Sequence, residues 1–247
     1  MIDSFQKYSE RQVHFCDEDV PPLLQESLAF ATKTAENVSI VDLGCGDGRL
    51  IYALHAKSML KHVKNFVGVD ISETRIKRMI RQLPFVKGIV SDALCVKELE
   101  DCCFDFVICS QLIEHVKDDK KLIVEIGHLL KSGGLAYISS VVKKWYGVYI
   151  YLRDHSFRLD PTHVREYSSV EEFTELIDSN RLNTLTTATS PVMFPISDLA
   201  VRAMIATGLV EPSVGVYYEN KVFHKIRRLT IPVVGYSIIE VLAEKVD

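Results

Sequence analysis

Short apolar runs alternate with amphipathic stretches along most of this chain. Runs at 38–41, 66–70 and 86–90 have the length and residue types of buried strands. Two more runs of this kind lie at 104–110 and 135–142, and segments with helical spacing of apolar positions lie between the runs. Five strands that alternate with helices predict a parallel sheet with helices on both faces.

Capping signals set the ends of the predicted helices. A first helix begins at Pro21-Pro22 and continues to about Glu36, and the second helix ends near Lys61. Ser72 is the predicted N-cap of the third helix. The helix that carries His115 in its first turn is predicted to end at 131–134, where a lysine precedes two glycines.

The turn between the first strand and the second helix contains Gly44, Gly46 and Gly48 at alternate positions. Glycine allows a sharp turn and a close approach of a ligand, and the following helix start favours an anionic group. No Lys-Ser or Lys-Thr follows, so the turn is not a P-loop. A dinucleotide-binding turn would need a third glycine at the position of Arg49.

The residues Val-Asp-Leu-Gly-Cys-Gly-Asp-Gly at 41–48 resemble the first motif of class I S-adenosylmethionine-dependent methyltransferases. Two further segments are similar to that family, one with Glu-His-Val at 114–116 and one at 160–168. The resemblance implies one domain over 1–247, with a Rossmann-like, mostly parallel seven-stranded sheet. Its sixth strand would lie at 182–190 and its antiparallel last strand at 236–243.

The cofactor would then be S-adenosylmethionine, with S-adenosylhomocysteine as its product. An acid at the end of the second strand can bind both ribose hydroxyls, and Asp70 stands there. The resemblance assigns Asp42 and the glycine turn to the methionine end of the cofactor, Ile71 to the adenine face and Asp92 to the adenine amino group. The predicted cofactor-binding residues are Asp42, Gly44, Cys45, Gly46, Asp70, Ile71, Asp92, Ala93, Ser110 and Gln111.

Two insertions, at 143–165 and 191–230, are predicted to form a cap over the acceptor site. The first is rich in aromatic and cationic residues, which favours a ring-containing and anionic acceptor, although the same aromatics could form a small core of their own. The second has an apolar helix pattern around 196–209. Predicted acceptor-binding residues are Tyr146, His155 and Arg165.

Transfer to oxygen or nitrogen can require a general base. Among the three candidate bases, His163 ranks first, because it lies in a segment that resembles the family; His115 follows it, and His155 ranks last. Positioning of the two reactants without a base is an alternative, because the methyl group of the cofactor is already electrophilic.

Composition narrows the partners further. The chain has 247 residues and a net charge of −4, so it has no global basic signal for nucleic acid. The six cysteines form no C-x-x-C pair, which predicts a reduced, cytoplasmic protein with no metal site and no disulfide framework. No transmembrane segment is expected, and a homodimer is left open.

The leading interpretation is a methyltransferase that acts on an oxygen, nitrogen or carbon atom of a small molecule, a glycan or a lipid intermediate. One alternative is methylation of tRNA or protein, which the basic clusters at 75–81 and 221–228 would permit. Such clusters are more often solvated helix faces. Another alternative is a non-catalytic protein that binds S-adenosylmethionine.

Overall fold

The computed structural model describes residues 19–34, 37–147, 160, 162–195, 197, 207 and 229–246. Twelve elements lie within these ranges. The helices are α1 (Pro22–Thr34), α2 (Arg49–Ala56), α3 (Glu73–Gln82), α4 (Asp119–Leu129) and α5 (Val170–Asp178). The strands are β1 (Val38–Leu43), β2 (Val63–Asp70), β3 (Lys87–Val90), β4 (Phe104–Ser110), β5 (Leu130–Lys143), β6 (Leu182–Pro195) and β7 (Thr230–Lys245).

All seven strands form one sheet in the order β3-β2-β1-β4-β5-β7-β6. The strands from β1 to β5 pair in parallel, and β7 runs antiparallel to both of its neighbours, β5 and β6. This topology confirms the predicted fold class. It also brings the carboxyl ends of β1 to β5 to one edge, which is where open α/β sheets bind ligands.

Each central strand is buried on both faces, so neighbouring residues enter different cores. Ile40 and Phe106 pack with α1, α2 and α3, whereas Val41 and Val107 pack with α4 and α5. Helices therefore cover both faces of the sheet, as the alternation of strands and helices predicts. No helix in the described ranges is long and apolar enough to cross a membrane.

The two last strands are longer than predicted. β6 continues past 190 to Pro195, and β7 begins at Thr230 rather than at Tyr236. The prolines in β6 are tolerated because β6 is an edge strand, where a missing N–H breaks no ladder on the open side. The predicted helix around 196–209 lies almost entirely outside the described residues.

The region of α4 also differs from the prediction. His115 lies in a turn after β4, because α4 begins only at Asp119, with the side chain of Asp118 accepting the Lys121 N–H at 2.9 Å. At the other end, Leu130 already pairs with Phe104, and the register shifts before Leu135. The predicted glycine turn is therefore an irregularity within the first part of β5.

Candidate functional site: a cofactor loop beside a histidine–carboxylate cluster

The glycine turn after β1 is held against the end of β2. The N–H groups of Gly44 and Cys45 both donate to the Val69 carbonyl, at 2.8 and 3.0 Å. Gly44 has a φ of 74°, and a Cβ there would lie 2.8 Å from a methyl group of Leu112. Gly46 has a φ of 56°, but a Cβ there would meet only Arg75, at 3.7 Å. The loop is therefore closed at Gly44 and open to an approaching ligand at Gly46.

Asp70 joins the end of β2 to this loop. One carboxylate oxygen accepts the Gly46 N–H at 3.0 Å, and the other accepts the Ser72 N–H at 2.8 Å. Burial raises the pKa of Asp70, while the Ser72 N–H and the Arg75 charge oppose the rise. A carboxylate has about four lone-pair sites. Asp70 can thus hold the loop and still accept two ribose hydroxyls.

Asp42 supplies a second carboxylate below the loop. Its side chain is buried, and among the described residues it has no hydrogen-bond partner. Burial, and then the charge of Asp70, raise the pKa of Asp42 well above its usual range. A buried acid without a partner suits the ammonium group of a ligand, which would compensate its charge. The residues of this loop therefore fit the methionine end of S-adenosylmethionine.

Two more residues that were predicted to bind the cofactor, Asp92 and Ala93, follow the end of β3. The Ser91 N–H donates to the Asp70 carbonyl at 3.1 Å, which places Asp92 one residue away from that contact. Asp92 itself is exposed, and its side chain accepts the Leu94 N–H at 3.0 Å in a tight turn. Ala93 is buried. One carboxylate oxygen of Asp92 makes this turn, which leaves its other oxygen for the predicted contact with the adenine amino group.

Two other predicted cofactor contacts, Cys45 and Ile71, flank the loop. The Cys45 thiol is buried, and its sulfur would lie 2.9 Å from a Cβ on Gly68. Burial raises the pKa of Cys45, and the charges of Asp42 and Asp70 raise it further. Ile71 is half-buried. The thiol is therefore a small apolar packing group under the loop.

The chain turns sharply where β4 ends. The Ser110 hydroxyl lies 3.1 Å from the Ser139 hydroxyl on β5, and the Gln111 N–H donates to the Ser139 carbonyl at 3.1 Å. Gln111 has a φ of 53°, a left-handed conformation that costs a non-glycine residue about 1–2 kcal/mol. This strained turn directs the following residues over the carboxyl edge of the sheet.

A histidine–carboxylate cluster, formed by Glu114, His115 and His163, lies just beyond this turn. The rings of His115 and His163 meet edge to face, with centroids 4.8 Å apart. Glu114 is fully buried, and its Oε2 accepts the Ser140 hydroxyl at 2.9 Å. Its Oε1 is buried with no hydrogen-bond partner in the described structure. The two predicted bases thus share one site with a buried acid that sequence reasoning did not assign.

Burial shifts the pKa values of two members of this cluster, Glu114 and His115. It raises the pKa of Glu114, against the Ser140 hydrogen bond and the His163 charge, which lower it. Burial also lowers the pKa of His115, and the His163 charge adds to that effect. The Nδ1 of His115 lies 3.0 Å from the Thr162 hydroxyl, which leaves Nε2 for another contact. Neutral imidazoles are the form that can accept a proton.

The donor atoms of this cluster also lie close enough together to hold one metal cation. One donor atom from each of its three residues lies within 4.8 Å of the others. Two imidazoles and a carboxylate are a donor set that divalent metals use. No metal site was predicted from the sequence, and the residues at this position are compatible with either a cation or proton transfer.

Backbone hydrogen bonds fix the segment that carries His163. The Val164 N–H donates to the Glu114 carbonyl at 2.8 Å, and the Lys143 N–H donates to the Tyr167 carbonyl at 2.7 Å. The segment is therefore attached both to the turn after β4 and to the end of β5. These attachments explain why a residue almost fifty positions later in the chain packs on His115.

The predicted acceptor-binding residues have different surroundings. Arg165 donates to the Lys117 carbonyl at 2.5 Å and pairs with Asp119 at 2.9 Å, so its guanidinium binds the start of α4. Tyr146 is half exposed and lies edge to face with the exposed Trp145. His155 lies outside the described residues.

Sequence reasoning missed two charged residues near the site. Arg75 was placed in a solvated cluster, but its side chain is only 8% exposed, and its charge acts on Asp70 and His115. The helical periodicity could have revealed this, because Arg75 shares the face of α3 that buries Ile76 and Met79. Glu166 lies within the segment at 160–168 that resembles the family, but no role was predicted for it; its side chain is buried between His163 and Lys143.

Comparison with known proteins agrees with this geometry. The sequence profile of a family described as "Methyltransferase domain" matches residues 34–186, more than half of the chain. A ubiquinone biosynthesis O-methyltransferase of Coxiella burnetii (strain Dugway 5J108-111) is 26% identical over 161 residues, covering 62% of this chain and 66% of that protein. The match thus spans just under two thirds of that relative's length.

Solved structures show the same fold at low identity. The [4+2]-cyclase SpnF is 18% identical, with a TM-score of 0.60 over 90% of this chain and 80% of that chain. A geranyl diphosphate C-methyltransferase from Streptomyces coelicolor A3(2), crystallised with Mg²⁺, geranyl diphosphate and S-adenosylhomocysteine, is 16% identical. Its TM-score is 0.57 over 91% and 79% of the two chains.

The profile match, the sheet order and the glycine loop bound to Asp70 together establish the family. The chain belongs to the methyltransferase-domain family, whose class I fold uses S-adenosylmethionine as its cofactor.

Proposed function

We propose that this chain transfers a methyl group from S-adenosylmethionine to an oxygen atom of a small-molecule acceptor. Family membership supports the reaction class, and a relative named as an O-methyltransferase supports oxygen as the methylated atom. The observation that carries the proposal is the cluster at the carboxyl edge, in which the buried Glu114 and His163 meet the half-buried His115. A Cβ on Gly44 would lie 2.8 Å from the side chain of Leu112, two residues before Glu114, so this cluster lies near the glycine loop.

The cofactor would lie between the ends of β1, β2 and β3. Asp42 would take its ammonium group, and the loop around Gly46 would pass close to its methionine end. Asp70 would take the ribose hydroxyls and Asp92 the adenine amino group. When bound, the cofactor supplies an electrophilic methyl group, so the chain's task is to hold the acceptor oxygen in line with it.

His163 is the proposed proton acceptor. As the acceptor oxygen bonds to the methyl carbon, its proton would pass to the imidazole of His163. His115 is the alternative base, with its Nδ1 engaged by Thr162. The buried Glu114 would stabilise a protonated histidine beside it, because the two side chains interact electrostatically.

The acceptor would enter from the side of the two insertions, with Tyr146 at its rim. Small aromatic molecules, glycans and lipid intermediates remain in the proposed class. An anionic group is part of the proposal, although the described cations Lys143 and Arg165 are each paired with a carboxylate. A cytoplasmic location and a homodimer stay predictions from the sequence.

Two other functions are weaker candidates. Methylation of RNA requires a basic surface. Of the two basic clusters named from the sequence, the one at 75–81 lies within the described residues, and the burial of Arg75 removes one charge from its surface. A binding protein that transfers no methyl group is compatible with the fold, since a neighbour of similar fold is named as a cyclase. Transfer of an isotope-labelled methyl group to a small molecule would distinguish the proposal from both alternatives.

The direct experiment uses S-adenosylmethionine labelled in its methyl group. The protein is incubated with phenols, catechols and simple glycans, each with and without an apolar tail, and the products are analysed by mass spectrometry. We expect label on an acceptor oxygen. Recovery of label only in RNA or protein, or no transfer to any acceptor while the cofactor binds, would contradict the proposal.

Substitution of His163 tests its role in the same assay. His163→Ala should lower turnover about a hundredfold and leave the cofactor dissociation constant within about threefold, because the residue contacts the acceptor side. The loss should shrink at high pH, where the acceptor hydroxyl ionises without help. His128→Ala, an exposed histidine on α4, is the matched control and should keep normal turnover.

A further inference from the structure

Glu166 connects the proposed base to the end of the sheet. Its Oε1 lies 3.6 Å from Nδ1 of His163, and its Oε2 lies 3.3 Å from Nζ of Lys143. Glu166 and His163 are both almost completely buried, whereas about a quarter of Lys143 is exposed. A buried carboxylate requires such compensation. Lys143 therefore favours the ionised form of Glu166 beside the histidine.

The two residues cannot move far apart. Between them, the Val164 and Arg165 N–H groups both reach the Glu114 carbonyl, at 2.8 and 3.4 Å. Directly after Glu166, the Tyr167 carbonyl accepts the Lys143 N–H. The relative placement of the carboxylate and the imidazole is thus set by backbone contacts on both sides.

The Nδ1 atom of the His163 ring faces Glu166, and the ring lies edge to face with His115, which limits its rotation. The 3.6 Å separation is longer than a hydrogen bond. Catalytic hydrogen bonds are often long without ligands and shorten when the substrate binds.

We infer that Glu166 is a positioning residue that holds the His163 proton on Nδ1 and so leaves Nε2 to accept the proton of the acceptor. The inference rests on the proposed function. A carboxylate at Nδ1 selects the tautomer whose other nitrogen is basic, and it stabilises the imidazolium that forms. Glu166 acts through His163 and need not contact the acceptor itself.

Other charged groups also face this histidine. Glu114 and His115 reach it from the turn after β4, and Asp160 stands at the start of its own segment. Tyr236 on β7 lies near the far side of Glu166 and Lys143. Among these groups, only Glu166 forms an ion-pair contact with Nδ1, at 3.6 Å.

Nitrogen-15 NMR of the histidine rings tests the inference without any acceptor. The shifts of the two ring nitrogens report which one carries the proton, and His163→Gln assigns the signals. In the parent protein, neutral His163 should be protonated on Nδ1. In Glu166→Gln, a second tautomer should appear, whereas Glu175→Gln, an exposed glutamate on α5, should leave the signals unchanged.

Kinetics provide an independent readout. Glu166→Gln should lower kcat about tenfold or more, with the cofactor dissociation constant within about threefold. Glu166→Asp keeps the charge and should recover part of kcat and of the Nδ1-protonated signal, and it also serves if Glu166→Gln does not fold. Neutral His163 protonated on Nε2 in the parent, or an unchanged tautomer in Glu166→Gln, would overturn the inference. Normal kcat in Glu166→Gln would overturn it while leaving the methyltransferase proposal intact.

Discussion

At Asp42, the requirements of folding and of the proposed cofactor binding oppose each other. Burial raises its pKa, so the folded chain binds the carboxyl proton more tightly than the unfolded chain does. The associated stabilisation is complete below the ordinary aspartate pKa and is lost as pH rises through the raised value. At neutral pH the carboxylate is therefore a cost to the apo protein, and a cationic ligand would offset it.

Replacement of this carboxylate should separate the two effects. Asp42→Asn should stabilise the apo protein at pH 7 by about 1 kcal/mol, or roughly 2–4 °C in Tm, and weaken cofactor binding about tenfold or more. The stability gain should shrink as pH falls toward 4. Thermal unfolding across pH and calorimetry measure both. A less stable variant at pH 7, or an unchanged affinity, would show that the carboxylate has another role.

The glycine loop is an element whose members have different tasks. Gly46 and Gly48 both have positive φ, but a Cβ on Gly46 would meet only Arg75, at an ordinary contact distance of 3.7 Å, whereas one on Gly48 would lie 2.6 Å from Met79 on α3. Gly46→Ala should lower the free energy of unfolding by about 1–2 kcal/mol through backbone strain. It should also remove most cofactor affinity, because the added methyl enters the space proposed for the ligand.

Gly48→Ala should lower the free energy of unfolding by about 1–3 kcal/mol more than Gly46→Ala does, because its added methyl overpacks the contact with α3. Denaturant unfolding and calorimetry on both variants check this order, and the reverse order would refute the assignment of Gly46.

The segment before α5 is a second element with a testable tether. Arg165 binds Asp119 and the Lys117 carbonyl at the start of α4, although its sequence position suggested acceptor binding. Arg165→Ala should therefore lower stability by about 1 kcal/mol, with an unchanged KM for the acceptor. Asp119→Asn, which removes the partner, should give a similar loss in thermal unfolding. A raised KM without a change in Tm would favour the acceptor role instead.

At the scale of the whole molecule, the site forms at the carboxyl edge of the sheet, where residues that are distant in the chain meet. The positions of strands β1 to β5 along the chain and their parallel pairing were predictable, because apolar runs and the glycine turn are local signals. The role of Asp70 was predicted from its distance along the chain to that turn. The packing of His163 on His115 was not derivable from local pattern, since it depends on contacts such as Val164 with Glu114 across some fifty residues. Glu166 and Arg75 were given no role in the site because their neighbours are set by the fold. Arg75 was placed in a cluster of charges that looks solvated, whereas Glu166 stood within the family-like segment at 160–168 without a role of its own.

Calorimetric titration with S-adenosylhomocysteine tests the cofactor site at this edge most directly. The parent protein should bind with micromolar affinity, roughly −8 kcal/mol. Asp70→Asn should weaken binding about thirtyfold, since a charged hydrogen-bond acceptor contributes about 2 kcal/mol. Asp105→Asn is the matched control: Asp105 bonds Ser39 and Lys131 at the opposite end of the strands and should leave affinity within about threefold. Absence of both heat and thermal shift in the parent, or equal affinity in Asp70→Asn, would contradict a cofactor site built on the glycine loop and Asp70.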